Sequence, residues 1–251
     1  MLTSVRGLLA AAALSGGLFL ATPALAQEEE ADPIVTVTGN VAIVTDYRFR
    51  GVGLSGGDVA IQGGLTLNTA PGFYLGTWLS SLEDSALYGE VEMDIFAGWT
   101  GEVTSGVAID AGVLYYAYPS KDPGAGPSEV WEFYGKVKPT IGPVGLTLGV
   151  AYSPDQDSLG GGDNIYLSAD AGVGIPGTPL TVTGHAGYTD GALSPVVLTG
   201  AGTGGGWDWS IGASTTILGG LGLGVSYVGV DGATIDGVSD DTVVGTLSFT
   251  F

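Results

Sequence analysis

No cysteine occurs among the 251 residues, so the chain has no disulfide frame, no thiolate metal site and no cysteine for lipidation. Basic residues are nearly as scarce: 6 Lys+Arg stand against 26 Asp+Glu, a formal charge of −20. A nucleic-acid binder needs a basic footprint, and phosphate would repel this chain. Charged residues of both signs make up only 13%, whereas 45% of the chain is hydrophobic and the mean hydropathy is +0.37. An acidic disordered protein would lack that apolar and aromatic content. The 46 glycines follow no period of three, which excludes collagen. Past the N-terminus no stretch approaches 18 uninterrupted apolar residues, so no transmembrane helix is expected.

Residues 1–26 combine one positive charge (Arg6), an apolar stretch from Leu8 to Leu20, and then Pro23-Ala24-Leu25-Ala26. That order is the pattern of a secretory signal peptide. A membrane anchor competes poorly, because the apolar core is shorter than the ~20 residues that span a bilayer. Residues 27–33 (QEEEADP) read as an acidic, flexible lead-in, and residues 34–251 as one folded unit.

From Ile34 onward, apolar and small polar residues alternate with the period of a two-faced strand. Twelve such runs occur, at 34–47, 58–68, 72–81, 90–101, 106–118, 129–141, 143–153, 163–175, 178–189, 206–217, 220–230 and 241–251. Short connections (69–71, 102–105, 142, 176–177 and 218–219) alternate strictly with longer ones centred on Gly56, Asp84, Gly124, Gly160, Gly200 and Asp236. An even number of antiparallel strands, with short periplasmic turns and long outer loops, describes an up-and-down outer-membrane β-barrel. Both termini then lie on the periplasmic side.

In a soluble sandwich the apolar face would be core and the other face surface. Soluble surfaces carry Lys and Glu, whereas the polar face here is mostly Gly, Ser and Thr. The large aromatics decide between the two. On the apolar parity, Tyr47, Tyr115, Trp131, Phe133, Tyr152, Tyr188, Trp207, Trp209 and Tyr227 fall at long-loop ends. Phe73, Trp99, Phe249 and Phe251 fall near short-turn ends. Two aromatic belts around a Val, Leu, Ile and Ala band form the lipid-facing girdle of a transmembrane barrel. The closing Leu247, Phe249 and Phe251 form an alternating apolar terminus ending in an aromatic, which reads as a signal for the barrel-assembly machinery.

The stretch TGNVAIVTDYRFRGVGLSGGDVAIQGG (38–64), with GFYLGTWLSSL, YYAYP, AYSPD, HAGYTD and the final SFTF, resembles the TorF family of proteobacterial porin-like proteins. The resemblance spans the chain beyond the signal and is most specific at Tyr47–Gly51 (YRFRG). It implies an outer-membrane barrel and a pore, without naming a solute.

Strand parity assigns the groups that line the lumen. These are Asp46, Arg48 and Arg50 at the first strand mouth, then Glu90, Glu92, Asp94, Asp110, Glu132, Lys136, Lys138, Asp170, His185 and Asp208. Asn40, Gln62, Asn68, Tyr134 and Asn164 share the same face. Lys136 and Lys138 lie at the depth of Asp110, so pairing among the three is expected. Arg48 and Arg50 suit either an anion contact or an anchor tying the first outer loop to acids such as Glu90 and Glu92; the anchor is the favoured reading. The single histidine, His185, points inward, which argues against an acyl-transfer enzyme acting on the lipid face. The loop Asp155-Gln156-Asp157 begins like a calcium loop but lacks its later ligands. No catalytic group, metal site or cofactor is expected. The expected function is passive diffusion of small hydrophilic solutes or cations, with an acidic lumen favouring cations. The competing reading is a closed structural barrel whose acidic loops bind a partner or divalent-bridged lipopolysaccharide. The expected partners are outer-membrane lipids and lipopolysaccharide, the assembly machinery and the solutes, with no nucleic acid. The expected location is the bacterial outer membrane, reached through the periplasm. Twelve strands do not themselves decide between an open and a filled interior.

Overall fold

The computed structural model describes residues 34–217 and 219–251; the expected signal segment and lead-in lie outside the described residues, as does Leu218. Twelve strands form the wall: β1 (Val35–Val44), β4 (Ala60–Thr69), β5 (Phe73–Ser81), β6 (Val91–Thr104), β7 (Val107–Ala117), β8 (Val130–Ile141), β9 (Val144–Gln156), β10 (Gly162–Gly174), β11 (Leu180–Gly191), β12 (Gly206–Ile217), β13 (Leu221–Val230) and β14 (Thr242–Thr250). Two further strands, β2 (Arg48–Phe49) and β3 (Val52–Gly53), make a miniature hairpin inside the first long loop. The wall strands pair antiparallel with their neighbours along the chain, and β1 pairs with β14 to close the barrel. Closure removes every open edge, which a bilayer core requires.

Each expected run became one wall strand, with ends shifted by a few residues. β9 continues to Gln156, past the expected end at 153, because the Gln156 side chain bonds the neighbouring strand. Its Oε1 accepts from Trp131 N at 2.7 Å, and its Nε2 donates to Trp131 O at 3.0 Å. β6 reaches Thr104 through a register shift between Glu102 and Thr104. β1 stops early, at Val44. There the chain turns into the lumen, and parity no longer applies beyond it. Tyr47, expected in the outer aromatic belt, is therefore only 3% exposed and sits inside the barrel.

The remaining belt residues pair across neighbouring strands. Tyr115 meets Trp131 with ring centroids 4.5 Å apart, Tyr188 meets Trp207 at 5.1 Å and Trp209 meets Tyr227 at 5.4 Å. At the short-turn end, Phe249 stacks on Phe251, and Trp99 donates its Nε1–H to Pro71 O at 2.8 Å. Between the belts, Leu65, Leu75, Leu148, Val150, Leu167, Leu223 and Val225 are exposed. In water such an apolar ring would be an aggregation surface; against lipid tails it carries no penalty.

The interior is asymmetric. Along β4–β8 the inward face is packed with Tyr74, Trp78, Phe96, Leu114, Tyr116 and Val130, all buried. Gly98 and Gly112 make room for this layer: a Cβ on either would collide with the Tyr74 or Tyr134 ring that crosses over it. From β10 round to β14 the inward face carries Ser168, Thr183, Gly212, Ser214, Gly224, Ser226 and Thr246, small residues that remain partly exposed. One wall is filled, and the other leaves room.

Candidate functional site

The inward hairpin organises the outer half of the lumen. Asp46 accepts hydrogen bonds from Arg48 Nε and, at 3.0 Å, from Ser55 Oγ, while Ser55 Oγ accepts from Tyr47 N at 2.9 Å. These bonds fold residues 46–55 back on themselves. The two central turn residues, Arg50 (φ 48°) and Gly51 (φ 81°), both adopt positive φ, as a two-residue primed turn demands. Arg50 is the one non-glycine residue with positive φ among the described residues, an uncommon conformation for a side chain of its size. At Gly51 only glycine fits, because an added Cβ would fall 2.9 Å from Val230 Cβ and 3.0 Å from Asp208 Cβ. The hairpin tip thus rests on β12 and β13 while its side chains cross to the far wall.

Arg50 makes that crossing. Its Nη2 donates to Glu132 Oε2 at 2.6 Å, and its guanidinium carbon lies 4.2 Å from the Tyr166 ring centre and 4.7 Å from that of Phe49. Glu132 is held from its other sides by Tyr116 OH, donating to Oε1 at 3.1 Å, and by Ser153 Oγ at 3.3 Å from Oε2. Four consecutive strands, β7 to β10, therefore supply Tyr116, Glu132, Ser153 and Tyr166 to one slot that receives a guanidinium. Both partners are buried, so the charge-assisted bond is stronger than at the surface, and losing either charge would strand the other. Phe49 packs edge-on against Tyr116 at 5.8 Å, and Tyr47 edge-on against Trp78 at 5.5 Å. Tyr47 OH donates to Glu92 Oε1 at 3.0 Å.

Arg48 faces the opposite way. Besides Asp46 it donates to Asp240 Oδ1 at 3.0 Å and to the Val238 and Asp240 carbonyls at 3.1 Å, tying the first outer loop to the last. The hydrogen bond from Arg48 holds the Asp240 carboxyl below the usual aspartate range. A polar cavity of about 230 Å³, lined by Thr45, Asp46, Arg48, Asp236 and Asp240, opens between these two loops. A smaller one of about 30 Å³ lies between Phe49, Leu54, Glu92, Tyr116 and Val130.

Deeper in the barrel, Lys138 Nζ pairs with Asp110 Oδ2 at 2.9 Å. Tyr74 OH donates to Asp110 Oδ1 at 2.6 Å and lies 2.5 Å from Tyr134 OH. Lys136 Nζ lies 5.4 Å from the centre of the Tyr134 ring. His185 sits between two carboxylates, with Nδ1 at 2.6 Å from Asp170 Oδ1 and Nε2 at 2.8 Å from Asp208 Oδ1. Carboxylate oxygens only accept, an arrangement that suits a ring donating from both nitrogens.

The arginines are anchors, but to Asp46, Asp240 and Glu132 rather than to Glu90 or Glu92. Glu90 stands exposed just ahead of β6, its N–H donating to Ser120 Oγ at 2.9 Å, away from the buried acids. Ion pairs among the described residues take up Asp46, Asp110, Glu132, Asp170 and Asp208, and leave Glu92 and Asp94, each 1% exposed, outside them. Residue-by-residue parity missed the aromatic side of this network: Tyr116 and Tyr166, and the inward layer of Tyr74 and Trp78. The signal was present in β5, whose two faces are both apolar.

The barrel resembles solved outer-membrane channels. It superimposes on the KdgM porin, solved in complex with disordered oligogalacturonate, with a TM-score of 0.56 at 9% identity, covering 86% of this chain and 98% of that one. The NanC porin gives 0.56 at 8% identity, covering 86% and 99%. The COG4313 outer membrane channel from Pseudomonas putida F1 gives 0.51 at 12% identity, covering 89% and 99%. The fold is that of a closed twelve-strand porin-type barrel. The chain belongs to the bacterial family Gcw_chp, described as a protein of unknown function, whose sequence model matches residues 28–251. No curated protein matches it.

Proposed function

We propose that the protein is an outer-membrane channel for passive diffusion of small hydrophilic solutes or ions, with a preference for cations. The observation that carries this reading is the half-lumen lined by Gly, Ser and Thr from β10 to β14, which leaves a polar, partly exposed path beside the packed wall. The kinship in fold with porins supports it. Cation preference rests on charge. Beyond the acids already held in ion pairs, the outer loops and strand mouths carry Asp58, Glu83, Asp84, Asp122, Asp155, Asp157, Asp163, Asp231 and Asp236, while the bases there, Arg48, Arg50 and Lys121, are each ion-paired. Like charges around a narrow mouth concentrate counter-ions and repel co-ions. The likeness to the TorF family, export by a signal segment at 1–26, and assembly through Leu247, Phe249 and Phe251 belong to the same proposal.

A closed structural barrel is the second reading, favoured by the hairpin clamped across the outer lumen through Arg50 and Glu132. Planar-bilayer recording of the refolded chain separates the two. A diffusion channel gives discrete current steps; a silent bilayer, with folded protein demonstrably inserted, supports the closed barrel.

A further inference from the structure

We propose that the slot formed by Glu132, Tyr116, Ser153 and Tyr166 is a binding site for guanidinium- or amine-bearing solutes, and that Arg50 occupies it as a tethered competitor whose displacement frees the hairpin. The proposal rests on the channel reading only for its consequence, opening of the outer lumen; the binding site stands on its own geometry.

The slot belongs to the wall and the occupant to a loop. Glu132 is oriented by Tyr116 of β7 and Ser153 of β9, both wall residues. The Tyr166 ring offers its face 4.2 Å from the guanidinium carbon, and its hydroxyl is fixed by Asp208 Oδ1 at 3.2 Å and His185 Nε2 at 3.0 Å. A buried carboxylate facing an aromatic surface is the chemistry that holds a planar organic cation. The tether fills this site imperfectly. Only Nη2 bonds Glu132, while Nη1 is buried without a hydrogen-bond partner among the described residues, and the residue bearing it holds an uncommon positive φ. A free guanidinium solute is under no such backbone constraint and can present two N–H groups to the carboxylate.

Agmatine, a guanidinium with a primary amine, is the probe, used with the refolded mature chain in detergent and read by titration calorimetry. If docked Arg50 fills the slot more than about nine-tenths of the time, Arg50→Ala should bind agmatine at least about tenfold tighter than wild type. Arg50→Lys, which restores a tethered cation, should reverse most of that gain. Adding Glu132→Gln to Arg50→Ala should abolish it, and glucose should not bind in its place. Equal affinity in wild type and Arg50→Ala, or tight binding that survives Glu132→Gln, would overturn the proposal; so would glucose binding as well as agmatine. Unboiled gel migration and strand circular dichroism establish that each variant is folded. Bilayer currents separate the two readings. Tight, Glu132-dependent agmatine binding with no current in any variant upholds the slot and defeats the channel. Currents in every variant, without agmatine binding to Arg50→Ala, do the reverse.

Discussion

Neutralising Glu132 puts the clamp across the lumen to a direct energetic test. In the folded chain, the Arg50 and Glu132 side chains are 6% and 4% exposed and meet at 2.6 Å. Glu132→Gln leaves a buried guanidinium without its counter-charge, a loss on the order of 3–5 kcal/mol when the cation cannot escape. Arg50→Met should cost less, about 1–3 kcal/mol, because Glu132 keeps the donors Tyr116 and Ser153. The double variant removes both charges, so its loss should fall short of the sum by roughly 1.5–3 kcal/mol. The hairpin offers an escape route: if Arg50 swings out into water, the loss in Glu132→Gln is capped at the cost of undocking residues 46–55. That route has its own signature, new protease cleavage around Arg48–Gly53 before any global unfolding. The assay is urea unfolding of the refolded barrel in lipid vesicles, run alongside limited proteolysis. A Glu132→Gln variant within about 0.5 kcal/mol of wild type, uncleaved and additive with Arg50→Met, would refute the reasoning.

Leu167 is exposed in mid-strand on the outward face of β10. Leu167→Arg should destabilise the folded barrel in vesicles by roughly 2–4 kcal/mol, the cost of a cation near the bilayer midplane, whereas Ser168→Asn on the inward face should be nearly neutral by the same unfolding assay. Deleting Phe251 should leave the chain unassembled and degraded in cells, measured as loss of the heat-modifiable band from outer-membrane fractions. Asp240 has a folded pKa below its unfolded value, so the stability it contributes is present above that unfolded value and is lost as pH falls through the folded pKa. Proteolysis at an acid-stable site in loop 231–241 should accordingly rise below about pH 4, and Asp240→Asn should show the same exposure at neutral pH.

The barrel was legible because lipid on one side and a polar lumen on the other impose a strict alternation. β14 shows it plainly, with Val243, Leu247 and Phe249 outward and Thr246 and Ser248 inward. Parity fails where the chain leaves the wall. Tyr47 has the spacing of a belt residue, yet the strand ends three residues earlier and the side chain turns inward to Glu92. Nothing local marks Val44 as the end, since Thr45 still bonds β14: its N–H donates to Gly245 O at 2.9 Å, and its Oγ1 accepts from Gly245 N at 2.9 Å. The choice of acids for the arginines was likewise beyond the reach of spacing. Arg50 and Glu132 are 82 residues apart and meet only because the hairpin crosses the lumen. What could have been read is the packed sector. Tyr74 and Trp78 alternate with Phe73, Leu75 and Leu79, so β5 is apolar on both faces, which a lipid-and-water barrel strand should not be unless its inner side is covered.

The central claim is a water-filled, cation-preferring path, and the reversal potential across a KCl gradient tests it most directly. With the refolded protein in a planar bilayer at low salt, where screening is weakest, the potential should take the sign of a K⁺ preference. Asp84→Asn combined with Asp122→Asn and Asp157→Asn, three exposed acids of the outer loops, should move it toward zero without unfolding the barrel. A wild-type potential of the sign for Cl⁻ would contradict the account.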